Sequence, residues 1–288
     1  MDYLTDERGY LSILGGIYNS EPELHDKSDR TGVGTRSVFT PPTVKYNLDG
    51  GRIPLLTTKK VLTKSIIEEL LWFVSGSTNV NDLNNKIWDD WADENGDLGP
   101  IYGYSWRSLP NLLKTGNENG ITSWRSFDDN PLDQLLDLQQ QLRDNRDSRR
   151  HILMNWNPIF VQHCALPPCH LMAQFYVTPD NKLNCTMYQR SGDMFLGVPF
   201  NIASYSMLTH MLAMTTGYEA GEFKHIIGDA HIYNNHFPMV EEQLSRKLLP
   251  CRPTLTLKDR ACITEFEYDD FTIEGYEYHP WIKAPIAV

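Results

Sequence analysis

Residues 62–75 carry Ile66, Ile67, Leu70, Leu71, Phe73 and Val74 at helical spacing, so that a helix through this stretch is apolar on most of its faces. Such a helix is stable only when enclosed, and Glu69 is carried with it into a dry place. A second long helix is expected from near Asn201 through Ile202, Met207, Leu208, Met211 and Leu212, with Gly217 as its stop. Asn130-Pro131 reads as the cap and first turn of a helix running through Leu142. Between these lie strand-like stretches at 36–47, 150–156, 170–177, 183–190, 253–257 and 271–276. Leu183, Cys185 and Met187 alternate with Asn184, Thr186 and Tyr188, and Pro179-Asp180-Asn181-Lys182 offers a turn back to 170–177. Helices and hairpin strands mixed in this order indicate an α+β fold: a large mixed, mostly antiparallel sheet covered by helices. The polar, Asn- and Gly-containing 109–130 region reads as an exposed loop, and no linker or repeat divides residues 1–288, which are taken as one domain.

The 41% hydrophobic content supplies a substantial core. Thirty-seven acidic against 26 basic side chains leave 37 − 26 = 11 negative charges, which disfavours general affinity for nucleic acid or anionic membrane. Any anionic ligand must therefore meet a local cluster of arginines. The five cysteines at 164, 169, 185, 251 and 262 are odd in number, and neither a secretory signal nor a long apolar run is seen, so a reduced, cytoplasmic protein is expected. Cys164 and Cys169 have four residues between them, not the two of a zinc knuckle, and no metal is expected.

Cys169 stands in Ala165-Leu166-Pro167-Pro168-Cys169-His170, followed by Gln189-Arg190-Ser191-Gly192-Asp193 and Gly197-Val198-Pro199-Phe200-Asn201. A cysteine is a strong nucleophile as the thiolate, and a neighbouring arginine favours that form; Arg190 on an adjacent strand is the candidate. The plain alternative is an inert, buried thiol. Arg30 in Asp29-Arg30-Thr31-Gly32-Val33-Gly34, the pair Arg149-Arg150, and Arg190 beside Ser191 suit a phosphate, whose oxygens a guanidinium grips bidentately. Each taken singly is equally a solvated surface charge, and Gly32-Val33-Gly34 lacks a Walker lysine. Glu69 is either a satisfied core acid or a proton handler with a raised pKa. His231 and Tyr233 alternate as in a strand and can bind a sugar hydroxyl or close a core network. Asn201 offers a donor and an acceptor that match a uracil-like edge, where a carboxylate would favour the amino group of cytosine.

These motifs, with Thr57-Thr58-Lys59-Lys60, Glu69-Leu70-Leu71-Trp72-Phe73, Ile87-Trp88, Tyr102-Gly103, Asp147-Ser148-Arg149-Arg150 and Ala287-Val288, occur in one order along nearly the whole chain, which resembles the folate-dependent thymidylate synthase family. The resemblance implies that Cys169 adds to C6 of deoxyuridylate (dUMP), so that C5 becomes a carbanion able to attack the methylene carbon of 5,10-methylenetetrahydrofolate. It implies a homodimer through a sheet face, in which Arg30, Arg190, Ser191 and the arginines at 149 and 150 from the other subunit hold the phosphate. Asn201 would read the pyrimidine edge and His231 and Tyr233 would hold the ribose 3′-hydroxyl, with Gln189 and Asp193 also among the substrate-binding residues. Glu69 would order water and move protons, and Tyr102 would assist removal of the C5 proton. The folate surface would comprise Ile87, Trp88, Trp91, Asp193, Leu196, Gly197 and Phe200, with Asp193 on the pterin, Lys59 on the glutamate tail, and Ala287-Val288 closing over the ligands.

Related pyrimidine hydroxymethylases share this scaffold and let water, not hydride, capture the final intermediate. Asn201 argues against a deoxycytidylate enzyme and leaves a deoxyuridylate hydroxymethylase as the alternative, against which Trp88 and the Ala-Val ending favour the hydride route. Gly192 stands where a larger residue is expected, and Leu109-Pro110 through Asn130 follows no family pattern. An inactive RNA-binding or scaffold homologue is the remaining alternative, opposed by the acidic net charge and by the presence of every catalytic residue type.

Overall fold

The structure is a computed structural model and describes residues 4–118 and 121–286, with side chains outside 112–130. Its elements, in chain order, begin with β1 (Leu4–Thr5), α1 (Asp6–Tyr18), α2 (Pro22–His25), β2 (Asp26–Lys27), β3 (Thr35–Phe39), β4 (Val44–Asn47), α3 (Thr63–Ser75) and α4 (Tyr102–Arg107). They continue with β5 (Leu109–Glu118), β6 (Ile121–Leu132), α5 (Gln134–Asp144), β7 (Ile152–Met154), β8 (His170–Val177) and β9 (Lys182–Asp193). The chain then forms α6 (Gly197–Thr216), β10 (Glu219–Tyr233), α7 (Phe237–Ser245), β11 (Thr254–Leu257) and β12 (Phe271–Glu274).

An eight-stranded open sheet runs β1-β4-β10-β9-β8-β7, with β3 pairing the far half of β10 and β2 pairing β3. Only β1/β4 and β9/β10 are parallel, so the sheet is mixed and mostly antiparallel. The parallel β9/β10 pair needs a crossover, and α6 supplies it. Fourteen of its side chains, from Val198 to Thr215, are buried, because α6 lies within the core rather than on it. Ser206, Thr209 and Thr215 would be unsatisfied there, and each hydroxyl donates to a carbonyl one turn back. Gly217, at φ 80°, ends the helix in the left-handed conformation. The helix starts at Gly197, before Asn201, since Pro199 in the first turn removes an N–H that has no helical partner anyway.

α3 is enclosed as its composition requires, with Ile66, Leu70, Trp72, Phe73 and Val74 buried. Each such side chain contributes about 1.5–3 kcal/mol. Along β9, Leu183, Cys185 and Met187 face the core while Asn184, Thr186 and Tyr188 are half-exposed, and the turn before it holds Asn181 at φ 62°.

Several boundaries differ from the sequence reading. The 36–47 stretch is two strands, broken at Thr40 (φ 53°), Pro41 and Pro42, where prolines cannot donate to the ladder. The 109–130 region is not a loop: β5 and β6 pair antiparallel as a separate hairpin. Asn130-Pro131 lies in β6, and α5 is capped instead by Asp133, whose carboxylate accepts the Leu136 N–H at 2.9 Å. Among the described residues no helix is long and apolar enough to cross a membrane.

Candidate active site

The carboxyl ends of β9 and β10, the start of β8, α3 and the entrance to α6 converge around Cys169. The residue precedes β8, and its backbone is held on both sides. Its N–H donates to the Tyr102 hydroxyl at 2.8 Å, and its carbonyl accepts the Arg190 N–H at 2.8 Å. The Arg190 guanidinium donates from Nε to the Pro168 carbonyl (2.8 Å) and from Nη2 to the Pro167 carbonyl (2.7 Å), which fixes the Pro-Pro turn that presents the thiol. Three of its five N–H groups remain for a ligand. The sequence reading has Arg190 lowering the Cys169 pKa; its charge does act that way, but burial outweighs it, and the thiol pKa is raised overall. Cys169 is therefore a thiol at rest, half-buried.

Tyr102 is buried against Phe73 and stacks on His170 at 3.9 Å between ring centroids. Burial, reinforced by the neighbouring Cys169, pushes its pKa well above the usual phenol value, so it stays protonated. Beside it Glu69 is buried on α3 and accepts the Trp88 indole N–H at 2.8 Å. Burial raises the Glu69 pKa to about 7, against the smaller opposing effect of Trp88. Its carboxyl thus titrates from the ordinary 4.5 in the unfolded chain but only near 7 when folded. Stability is unaffected below the lower value and falls as pH rises toward the upper one, by about 3 kcal/mol in all. Glu69→Gln keeps the Trp88 acceptor and has no proton to lose. It is expected to be more stable than the parent at pH 8, by a margin that closes as pH falls toward 5. Urea titrations at the two pH values check this, and a margin independent of pH would exclude it.

Gln189, Asn201 and His225 form a chain whose polarity follows from one backbone group. The Ser191 carbonyl can only accept, and it lies 2.9 Å from Gln189 Nε2, which fixes that nitrogen as the amide donor. The same Nε2 donates to Asn201 Oδ1 at 3.0 Å, while Gln189 Oε1 accepts from His225 Nε2 at 2.9 Å. His225, buried and with its pKa lowered to about 3, is neutral and carries its hydrogen on Nε2. The Asn201 carboxamide is thereby oriented, with Nδ2 free to donate to a ligand. Gly192 lies beside this chain: a Cβ there would sit 2.9 Å from Val198 Cγ2 and 3.4 Å from Gln189 Nε2, so these neighbours occupy the room of a larger side chain.

Asp193 ends β9 and accepts the N–H groups of Phe195 (2.9 Å) and Leu196 (3.3 Å). Burial opposes its ionisation, but His236, His231 and the Leu196 N–H outweigh burial and hold the pKa low. His231 meets Asp229 at 3.3 Å and the Tyr233 ring edge-on. Burial raises the Tyr233 pKa to about 12, helped by the charges of Asp193 and Asp29 and opposed by Arg30. Arg30 rides on a loop organised by Asp29, whose carboxylate takes the Thr31 and Gly34 N–H groups and the Thr31 hydroxyl. Gly32 and Gly34 supply φ of 74° and 77°, and the Asn234 N–H donates to Gly34 O at 3.0 Å, which docks the loop at the end of β10. Arg30 itself is exposed.

Ile87, Trp91, Leu196, Gly197 and Phe200 are half-buried, and Trp88 is buried. The Trp91 indole N–H is buried without a partner. Lys59 is also buried: its ammonium lies over the Phe195 ring and donates to the Phe195 carbonyl, with a pKa lowered by burial to about 7 despite the pull of Asp193. Arg149 and Arg150 are not part of this cluster. They are exposed ahead of the edge strand β7, whose Ile152 pairs with Gln174, 174 − 169 = 5 residues along β8 from Cys169, or roughly 17 Å away. Ala287 and Val288 lie outside the described residues. No motif marks His225 or His170 for a role; His170 is neutral through burial and bonded to the Tyr205 hydroxyl at 2.8 Å. The signal for His225 was its even spacing from His231 and Tyr233 on one strand.

A cavity of about 440 Å³ lies elsewhere, against the start of α1 and residues 248–253, and includes none of the residues around Cys169. Among the described residues no three His, Cys, Asp or Glu side chains gather as a metal site. What the Cys169 cluster offers is a thiol, a guanidinium with spare donors, an oriented carboxamide and a carboxyl titrating near neutrality. A family model described as thymidylate synthase matches residues 8–288. With almost the whole length matched, the chain belongs to the thymidylate synthase family.

Proposed function

We propose that this one-carbon transferase is a thymidylate synthase, which methylates dUMP reductively with 5,10-methylenetetrahydrofolate and releases dihydrofolate. The observation that carries the reading is the setting of Cys169: a thiol whose peptide is gripped by Tyr102 on one side and by Arg190 on the other. Members of the family act on dUMP with this folate, and the residues present suit both.

The uracil ring presents N3–H and O4 to the oriented Asn201 carboxamide, with Oδ1 accepting and Nδ2 donating. The nucleotide phosphate meets the spare donors of Arg190, with Ser191 and the exposed Arg30 beside it. His231 and Tyr233 take the ribose hydroxyl. With the nucleotide so placed, the Cys169 sulfur adds to C6, its proton leaves as the bond forms, and the electron pair moves through C5 to O4. Cys169 starts as a thiol, so the step needs a proton acceptor, and Glu69, with its pKa about 7, holds or passes protons through water at neutral pH. Once C5 carries the methylene carbon its proton must leave; Tyr102, which stays protonated, assists by hydrogen-bonding a water that takes this proton, and does not act as a phenolate base. The half-buried Ile87, Trp91, Leu196 and Phe200, the unpartnered Trp91 N–H and the Asp193 carboxylate suit an aromatic, amino-bearing pterin ring. Bound there, the folate supplies the methylene carbon and then a hydride. Lys59 reaches a glutamate carboxylate only by leaving its place over Phe195. The buried Trp88 supports the hydride outcome over hydroxymethyl formation.

We also propose a homodimer through the sheet face that exposes Ile152 (39%), Met154 (40%) and Tyr176 (57%), with Arg149 and Arg150 reaching the partner's phosphate site. Mass analysis of the nucleotide product tests the reaction: a gain of CH3 at C5 is expected, whereas CH2OH at C5 or unchanged dUMP would refute the synthase reading.

A further inference from the structure

His236 follows β10 in the turn Asn234–His236 and is fully buried. Its Nε2 lies 2.7 Å from the carbonyl of Pro285, which can only accept, so Nε2 carries a hydrogen. The opposite nitrogen, Nδ1, is buried without a hydrogen-bond partner and faces Asp193, whose Oδ1 is 3.8 Å away. That gap is too long for a bond, and an unpartnered buried nitrogen costs about 1–3 kcal/mol. The ring is held between Tyr233 and Phe195, at centroid distances of 5.6 and 5.5 Å, so it cannot turn its nitrogens elsewhere without repacking. A neutral imidazole would point a lone pair at the carboxylate. An imidazolium satisfies both contacts once Asp193 approaches by about 1 Å. The surrounding charges favour this form: burial and Lys59 oppose it, but Asp193 and the Pro285 carbonyl prevail, and the pKa is raised.

We propose that His236 is a positioning residue that ties the segment carrying Pro285 to the Asp193 carboxylate, so that seating a pterin ring on Asp193 and seating that segment are coupled. The coupling rests on the reading of Asp193 as the pterin ligand; the tie to Pro285 does not. One side chain spans both groups, and a shift of Asp193 with its ligand changes the 3.8 Å separation from His236 Nδ1, and so whether that bond is made. The segment and the folate site are therefore linked through a single ring.

Two variants separate the contacts. His236→Gln keeps a donor long enough for Pro285 and loses the group that faces Asp193. His236→Asn keeps a donor toward Asp193 and is too short for Pro285. Without ligands, trypsin cleavage after the exposed Lys283 is expected to quicken about tenfold in His236→Asn and to stay near the parent rate in His236→Gln. In turnover, both variants are expected to raise the folate KM about tenfold, with a smaller change in kcat and unchanged dUMP affinity by calorimetry. Equal cleavage in the parent and His236→Asn overturns the tie. An unchanged folate KM, or dUMP affinity and Tm falling in step with it, overturns the coupling and leaves His236 a packing residue. If the parent shows no folate-dependent turnover, the proposed reaction fails, and the ligand-free cleavage still decides the tie.

Discussion

Cys169→Ala is expected to lower turnover by about 10⁴-fold or more while leaving dUMP affinity close to that of the parent. The reason lies in which atoms hold the site. Arg190 binds the carbonyls of Pro167 and Pro168, and both contacts to residue 169 itself use its backbone N–H and carbonyl. The thiol has only a 4.0 Å contact with the Pro167 carbonyl. Alanine therefore keeps the turn, the guanidinium and Tyr102 in place and removes the proposed nucleophile alone. Calorimetry with dUMP reads the first half of this expectation, and the absorbance change from dihydrofolate formation reads the second. Residual turnover within tenfold of the parent would rule out covalent catalysis by this residue.

Asn201→Asp is expected to cut kcat/KM for dUMP by about 10³-fold or more and to reverse the preference between dUMP and dCMP. Gln189 Nε2 is fixed as a donor by the Ser191 carbonyl and can donate to an aspartate as well as to Asn201 Oδ1. The local structure thus survives, and the change falls on the ligand side. There an acceptor replaces the Nδ2 donor, so O4 of uracil meets a second acceptor, while the amino group of cytosine finds a partner. Competition between the two nucleotides measures the ratio. An unaltered ratio would mean that Asn201 does not read the base.

Much of the fold was legible because burial writes itself into pattern. The apolar run of α3, the alternation of Leu183, Cys185 and Met187, and the Gly217 stop of α6 all follow from a period matched to an environment. The elements that were missed or misplaced had no such pattern. Most of β10 escaped although Glu222 to Ile227 alternate half-buried and buried, because the alternation breaks at Ala220-Gly221, Ile227-Gly228 and Ala230–Ile232, where successive residues are buried. The hairpin of β5 and β6 is polar and rests on pairing within itself, which composition does not reveal. α1 contains Gly9, Gly15 and Gly16, which weaken any helical signal, yet its Tyr10, Leu14 and Ile17 pack into the core.

For the site, the sequence by itself determined only the candidates: the residue types, their order and the chemistry they can perform are local properties of motifs, which name Arg149 and Arg150 but not His225. Tertiary structure decided their states. Whether Cys169 rests as thiol or thiolate depends on the balance between its burial and the Arg190 charge, and neither distance nor burial is written in a motif. The orientation of Asn201 depends on Gln189, whose amide is fixed by the Ser191 carbonyl at 2.9 Å and is met from the neighbouring strand by His225, 225 − 201 = 24 residues from Asn201 along the chain. Pro285, His236 and Asp193 belong to three segments that meet only when the chain is folded, with His236 bonded to the Pro285 carbonyl and 3.8 Å from Asp193. Electrostatic and hydrogen-bond terms act through space, and only the packed fold sets those distances.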